Sequence, residues 1–223
     1  MPLKDKEFIE IEYTGKTKED EIIFDTTDEK VAKDNELFNE QVTYGPVIVC
    51  LGEGHIIQGL DKLIIGKEPG DYSFDILPED AFGKKDPKFI QLIPSSKFAK
   101  QGIKPMPGMQ VNVDNHMGII KTVSGGRTIV DFNHPLSGKE VVYTVKIIKK
   151  ITDTKKQVEA LLKLAFQMKA PEVKEEDGKF KVLFEHELPD EVKKSIKDKI
   201  VELTKAKDLI IETKKPESAE KTQ

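Results

Sequence analysis

The run Leu51-Gly52-Glu53-Gly54-His55-Ile56-Ile57-Gln58-Gly59-Leu60 constrains this chain more than any other segment. The backbone breaks at Glu53-Gly54, and a short helix opens over Ile56 to Leu63, with Ile57, Leu60 and Ile64 spaced to share a face. Upstream, Glu7 to Tyr13 alternates apolar and acidic residues in part, the period of a half-buried strand, and Thr14-Gly15 supplies a turn. A second strand, Ile22-Ile23-Phe24, delivers Asp25 next to Thr26-Thr27. Val47 to Leu51 reads as a buried strand, Pro69-Gly70-Asp71 as a turn, and Tyr72, Phe74 and Ile76 as a strand of period two. Val141 to Ile151 is strand again, so the unit closes far along the chain from where it begins. These pieces describe a lined apolar pocket rather than an acid-base or metal site, which suits chemistry on an uncharged group.

At 223 residues the chain has room for two or three compact units. Hydrophobic residues make up 37% and charged residues 34%, and no run approaches the roughly 18 apolar residues of a membrane span. The start, Met1-Pro2-Leu3-Lys4-Asp5-Lys6, is charged and lacks the apolar stretch of a signal peptide, which places the expectation in the cytoplasm, with no membrane partner. The net charge is −4, and Arg127 alone among the 36 basic residues is an arginine. Bidentate readout of bases and phosphates recruits arginine, so no nucleic-acid partner is expected. The single Cys50 lies in the apolar run Val47-Ile48-Val49-Cys50-Leu51 and reads as a buried core thiol.

Between Gly83 and about Phe132 the chain carries strand-like pieces at Phe89 to Ile93, Met109 to Val113 and Met117 to Val123. Pro94-Ser95-Ser96, Pro105-Met106-Pro107-Gly108 and Ser124-Gly125-Gly126 separate them. The pattern describes a small all-β insert rather than a long structureless loop. After Thr152 the period becomes helical: Val158, Leu161, Leu162, Ala165 and Phe166 form one amphipathic face. A hairpin follows at Asp177-Gly178, with Phe180, Val182 and Phe184 alternating after it. A second helix from about Pro189 carries Val192, Ile196, Ile200 and Leu203, and Leu209 to Ile211 reads as a last strand. The polar end, residues 214–223, reads as disordered. So small a core suggests docking or self-association of residues 153–213.

The pocket run, together with Tyr13-Thr14-Gly15, Phe24-Asp25-Thr26-Thr27, Gly66, Gly70-Asp71 and Pro78-Glu79-Asp80-Ala81-Phe82-Gly83, resembles the FKBP-type peptidyl-prolyl cis-trans isomerases. The resemblance covers about residues 5 to 83 and 132 to 150. It implies a pocket of Tyr13, Phe24, Asp25, Val47, Val49, Ile56, Ile57, Leu60, Phe82 and Tyr143. In it Asp25 would point a carboxylate into the cleft, the backbone N–H of Ile57 would hold a substrate carbonyl, and Leu60 would form the floor. The β insert followed by Asn133-His134-Pro135-Leu136-Ser137-Gly138 resembles the SlyD-like, insert-in-flap branch, which implies a chaperone domain and puts His134 and Leu136 at the pocket rim. Many members carry tryptophan where Leu60 stands and tyrosine where Phe82 stands; the missing hydroxyl removes a hydrogen-bond donor to a ligand. SlyD-like proteins can end in a His- and Cys-rich tail, which this chain lacks, so no metal site and no cofactor are carried over.

His55, His116, His134 and His186 show no metal-ligand spacing, and solvated or hydrogen-bonded rings are the ordinary reading for most of them. Asp25 before two threonines would otherwise read as a turn cap; the family pattern favours the pocket. In the insert, Met106, Met109 and Met117 stand among Phe89, Ile90, Ile93, Phe98, Ile119 and Ile120; a unit of about 45 residues cannot enclose them all, which suggests a surface that grips client chains.

The reading is therefore an α+β protein. An FKBP-like antiparallel sheet wrapped on a short helix spans residues 1–84 and 132–152, an insert-in-flap chaperone domain spans 85–131, and a small α/β C-terminal domain that would pair two copies spans 153–213. Its function would be isomerisation of Xaa-Pro bonds in unfolded or proline-containing polypeptides, with the insert holding the client. The alternative is a holdase or dimeric adaptor in which the pocket contributes little.

Overall fold

The computed structural model describes residues 1–166, 171–176 and 178–213; Asp177 of the expected hairpin turn and the polar end, 214–223, lie outside them. The fold is mixed α/β with antiparallel sheets and, among the described residues, five α-helices. In chain order the elements begin with β1 (Phe8–Thr17), β2 (Ile23–Thr26), α1 (Glu29–Asp34), β3 (Val47–Cys50), α2 (Gln58–Ile64) and β4 (Gly70–Ile76). Short 3-10 turns at Pro78–Asp80 and Pro87–Phe89 precede β5 (Ile90–Pro94), α3 (Ser95–Ala99), β6 (Gln110–Val113), β7 (His116–Ser124) and β8 (Arg127–Asp131). The chain continues through β9 (Val141–Ile151), α4 (Thr154–Phe166), β10 (Glu172–Glu176), β11 (Lys179–Phe184), α5 (Asp190–Leu203) and β12 (Asp208–Thr213). No helix among the described residues is long and apolar enough to cross a membrane.

Two compact units result. The first comprises Met1–Gly15, Ile23–Phe74 and the described residues from Tyr143 to Thr213; the second comprises Lys16–Ile22 and Asp75–Val142.

The sheet of the first unit runs β2-β1-β9-β4, with β3 antiparallel to the beginning of β1, Phe8 opposite Cys50 and Ile11 opposite Val47. The expected turn at Thr14-Gly15 is absent, because β1 continues to Thr17. Gly15 serves packing instead: a Cβ there would lie 2.8 Å from Tyr143 Cζ and 3.0 Å from Phe24 Cζ. Helix α2 begins at Gln58, two residues later than the apolar run suggests, because Ile57 keeps an extended backbone (φ −59°, ψ 144°) as its cap. Leu60 and Ile64 are fully enclosed while Leu63 faces outward.

The segment after β9 belongs to the same unit. Helix α4 packs against both β3 and β10. Val158, Ala160, Leu161 and Leu162 are enclosed, so the helix is covered on two sides rather than along one stripe. Ala165 is exposed although it falls on the predicted face, because the packing at that end is carried by Phe166, whose ring meets Phe184 edge-on at 4.9 Å. Beyond it, β10 and β11 pair antiparallel, and α5 returns the chain so that β12 lies parallel to β11, Phe180 opposite Leu209. One continuous core joins Phe8, Cys50 and Ile151 to Val158, Leu161, Leu162, Phe180, Val182, Ile200, Leu203 and Leu209. Each fully enclosed Leu, Val or Phe in it contributes roughly 1.5–3 kcal/mol. The apolar face of α4 is therefore covered within the chain, whereas Val192, Val201 and Ile210 remain exposed.

In the second unit four strands form an antiparallel sheet in the order β5-β8-β7-β6. Ile90 lies opposite Asp131 and Ile93 opposite Thr128, and Ser124 meets Arg127 across the Gly125-Gly126 turn. The insert is not wholly β, since α3 follows directly on Pro94. The proline's φ of −58° leads into a helical turn, and that turn drives Phe98 into the centre. Ile93, Phe98, Val111, Ile120 and Val130 form the core, surrounded by Ile103, Met109, Val113, Val123 and Phe132. At the foot of the sheet Asp131 accepts hydrogen bonds from Lys85 Nζ at 2.8 Å and from the backbone N–H and Nδ2 of Asn133 at 3.0 and 2.8 Å. Asn133 also bridges to the backbone of Asp86, accepting at 2.8 Å and donating at 3.1 Å.

Candidate functional site

The first unit contains a cavity of about 380 Å³ lined by Tyr13, Asp25, Gly54, His55, Ile56, Ile57, Leu60 and Tyr143. Tyr13 comes from the middle of β1, Tyr143 from the buried face of β9, and Asp25 from β2. The tyrosine rings lie 5.8 Å apart between centroids, tilted by 52°, and Phe24 meets Tyr143 edge-on at the same separation. Phe24 thus stands behind Tyr143 as support.

Hydroxyls brace the crossing of β1 and β2. Thr27 Oγ1 accepts from the N–H of Tyr13 at 2.9 Å, the N–H of Thr27 donates to the Tyr13 carbonyl at 2.9 Å, and the Thr14 and Thr26 hydroxyls meet at 2.7 Å. This bracing aims Asp25 at the cavity. It is Asp28, not Asp25, that caps the following helix, accepting from the N–H of Val31 at 2.9 Å.

Burial raises the pKa of Asp25, and the hydroxyls of Tyr13 and Tyr143 and the N–H of Thr26, which donate to its carboxylate, work against that rise. Both phenols titrate above their ordinary range, first through burial and then through the adjacent Asp25 charge. They are therefore permanent donors, fixed in direction by the carboxylate between them.

The opposite wall is the run Gly54 to Ile57 with Leu60 beneath it. Gly52 has φ +81°, and a Cβ there would lie within bonding distance of the Asp5 carboxylate, so glycine is required. Asp61, 5% exposed, turns one carboxylate oxygen toward the N–H of Gly54 at 3.4 Å. His55 Nδ1 accepts from the N–H of Cys50 at 3.0 Å, which fixes the neutral ring with its proton on Nε2. Burial lowers the pKa of His55, Lys199 lowers it further, and Glu53 opposes. Burial, with nearby carboxylates, pushes the Cys50 thiol up to about 12, so it is an inert core group. Ile57 supplies an N–H that no described residue accepts. Among the described residues no three His, Cys, Asp or Glu side chains cluster as metal ligands would.

Tyr13, Asp25, Ile56, Ile57, Leu60 and Tyr143 thus line one cavity. Val47 is half-buried and Val49 enclosed, and neither lines it. His55 and Gly54 do line it, and sequence reasoning missed them there. The adjacency of His55 to Ile56-Ile57 was the available signal, and its hydrogen bond to Cys50 was not visible in the spacing. Phe82, His134 and Leu136 form their own cluster in the second unit. There the Phe82 and His134 rings stack at 5.1 Å, His134 Nδ1 accepts from the N–H of Leu136 at 3.2 Å, and Ser137 Oγ donates to the Phe82 carbonyl at 3.0 Å.

Of the expected client-gripping residues, Phe89, Ile90, Met106 and Met117 are exposed, Phe89 by 52% and Met117 by 59%. Met109 and Ile119 are half-buried. Ile93, Phe98 and Ile120 are enclosed in the insert's own core, which corrects their assignment to a contact surface. Leu92, 55% exposed and not singled out by the spacing, joins the outward group.

Residues 91–136 match the family model described as FKBP26, IF domain. The chain is 32% identical over 146 residues to the short-type peptidyl-prolyl cis-trans isomerase of Methanocaldococcus jannaschii, covering 65% of this chain and 92% of that protein. It is 33% identical over 109 residues to a probable FKBP-type 16 kDa peptidyl-prolyl cis-trans isomerase of Pseudomonas fluorescens, covering 46% and 71% of the two chains. With the FKBP-type isomerase SlyD of Haemophilus influenzae it shares 30% identity over 122 residues, 52% of this chain and 63% of that one.

Proposed function

As the chain belongs to the FKBP-type peptidyl-prolyl cis-trans isomerase family, we propose that its Tyr13-Asp25-Tyr143 cavity isomerises Xaa-Pro bonds in unfolded or partly folded polypeptides. The observation that carries this reading is the convergence of Tyr13, Asp25, Ile56, Ile57, Leu60 and Tyr143 on one cavity of a size suited to a small side chain and its flanking amide.

The reaction breaks no bond. Its barrier, roughly 18–20 kcal/mol, is the resonance lost when the amide twists. The proline ring rests on Leu60 between the tyrosine faces, and the free N–H of Ile57 holds a substrate carbonyl. Asp25 keeps both phenol hydroxyls turned toward itself, so the rings offer their faces. A water-poor wall favours the twisted amide, whose carbonyl is less polarised, over the planar isomers that water solvates well. Only this difference between twisted and planar states accelerates the reaction, at about tenfold for each 1.4 kcal/mol. An apolar residue before proline suits Ile56 and Ile57. The family resemblance gives Phe82, His134 and Leu136 a share in client binding.

The insert, residues 85–131, acts in this reading as a chaperone domain that holds clients through Phe89, Ile90, Leu92, Met106 and Met117. Methionine adapts to many partners, and tethering raises the local concentration of prolines without new chemistry. Residues 1–84 with 132–152 form the isomerase domain, and 153–213 a C-terminal domain that can pair copies through Val192, Val201 and Ile210. The cytoplasm is the compartment proposed, where unfolded clients are made. The exposed apolar side chains of the insert also favour a second reading, a holdase in which the cavity is incidental. Asp25→Ala decides between them: slower refolding of proline-limited clients supports the isomerase, and unchanged refolding with aggregation suppression intact supports the holdase.

A further inference from the structure

The wall of the cavity that carries His55, Ile56 and Ile57 is one end of a short segment whose other end is buried elsewhere. Cys50, fully enclosed, belongs to the core that Leu161, Leu162, Ile200 and Leu203 of the C-terminal helices complete. Three residues on, Glu53 meets Lys199 of α5 at 3.4 Å, with the Glu53 side chain only 20% exposed. Two residues further His55 closes the segment on itself by accepting the Cys50 N–H at 3.0 Å. A parallel tie joins Lys6, just before β1, to Glu202 on the same helix at 3.1 Å. Five residues of chain, at most about 18 Å when extended, thus connect the C-terminal core to the cavity, and a hydrogen bond and an ion pair remove their slack.

We propose that the C-terminal segment acts on the isomerase site through Lys199 of α5, a positioning residue that with Glu53 holds the His55 wall of the cavity in place. The proposal rests on the isomerase reading of that cavity. It gives α5 a role distinct from its share in the core, since Lys199 reaches the loop of the cavity wall through its ion pair with Glu53. It also makes the wall sensitive to charge. The groups around His55 include Lys199 from α5, Glu53 from its own loop, the Cys50 N–H from β3, Asp61 from α2 at the N–H of the adjacent Gly54 and, across the cavity, Asp25 with Tyr13 and Tyr143. Protonation of Nδ1 would remove the acceptor that Cys50 uses and place a cation near Lys199, so the fixed wall requires the neutral ring. Burial, and after it Lys199, favour that form, and Glu53 opposes it.

The test uses the full chain and three variants, Lys199→Glu, the charge-exchanged Glu53→Lys/Lys199→Glu, and Lys194→Glu as a control on the same helix. Two quantities are read: kcat/KM for an Ala-Leu-Pro-Phe peptide between pH 5 and 8, and the titration of the His55 imidazole by NMR. Lys199→Glu should lower kcat/KM roughly two- to fivefold, the range a partly exposed ion pair supplies, move the His55 titration to higher pH, and move the acidic limb of kcat/KM with it. The exchanged pair should regain most of the activity, and Lys194→Glu should match the unaltered protein. Should Lys199→Glu fail to fold, Lys199→Gln carries the same readouts with a smaller shift. Unaltered kcat/KM and an unmoved His55 titration in Lys199→Glu would overturn the proposal, as would an equal loss in Lys194→Glu. Absence of any catalysis by the unaltered protein would instead overturn the isomerase reading, with the His55 titration still reporting whether α5 acts on the cavity wall.

Discussion

Tyr143 crosses Gly15 so closely that a Cβ on Gly15 would stand 2.8 Å from the ring's Cζ. The ring that faces the cavity is thus set by an absent side chain on the neighbouring strand. Gly15→Ala should push Tyr143 and Phe24 aside, destabilise the protein by about 1–3 kcal/mol as overpacking does, and lower kcat/KM severalfold in the molecules that remain folded. Urea unfolding and peptide isomerisation check the two effects separately.

Asp25 is the acceptor for two phenols. Asp25→Ala leaves both hydroxyls without that partner and frees the rings to turn, so kcat/KM should fall by about tenfold, equivalent to about 1.4 kcal/mol of lost preference for the twisted amide. Tyr13→Phe should cost less, since Tyr143 still donates. Coupled-free peptide assays by NMR exchange measure both.

Two carboxylates, Asp131 enclosed and Asp25 half-buried, give opposite responses to pH. Burial would raise Asp131, but Lys85 and Asn133 outweigh it and hold the group at about 2 against an ordinary 3.8. Between those values the unfolded chain binds a proton that the folded one does not, so this contribution is complete above about pH 4 and lost as pH falls toward 2. Asp131→Asn should remove about 1–2 kcal/mol at neutral pH, allowing for solvent around Lys85, and flatten the acid limb of stability. Asp25, raised by burial, has the other sign: its charged form is disfavoured in the fold, so stability falls as pH rises through its pKa. Asp25→Asn should therefore gain relative stability above that range. Thermal unfolding from pH 2 to 7 separates the two.

Leu92, Phe89 and Met117 face outward on the insert and lie outside its core. Replacing all three by serine should leave kcat/KM for a tetrapeptide within about twofold and stability nearly unchanged, as surface substitutions usually do. Capture of an unfolded client, measured by suppression of its aggregation, should fall markedly. Phe98→Ser would not be equivalent, because it would empty the insert's core.

The C-terminal helices are joined to the isomerase sheet through Leu162, which is fully buried. Leu162→Ala should cost about 2–5 kcal/mol, and unfolding should show one transition for both regions, read by tyrosine fluorescence and far-UV circular dichroism together.

Strand alternation made much of this fold legible. Val141, Tyr143, Val145 and Ile147 are buried at every second position of β9, and that period alone turns Tyr143 inward. The same logic found β4, β11 and the insert's β-rich character. It could not find the role of Gly15, because a glycine inside a strand and a glycine in a turn look alike until the rings above it are known. Nor could it find α3, whose five residues are too few for a helical period. The stripe on α4 required a cover but did not say which, and β3 with Phe8 and Cys50 supplies it. His55 escaped for a related reason: its place depends on a hydrogen bond to the main chain of Cys50, and backbone groups carry no sequence signal.

The most direct measurement is the cis-trans exchange rate of Ala-Leu-Pro-Phe, by NMR exchange spectroscopy, with the full chain and with Asp25→Ala. The account predicts clear acceleration by the full chain and about tenfold less by the variant. Exchange at the uncatalysed rate with both proteins, each folded, would contradict it.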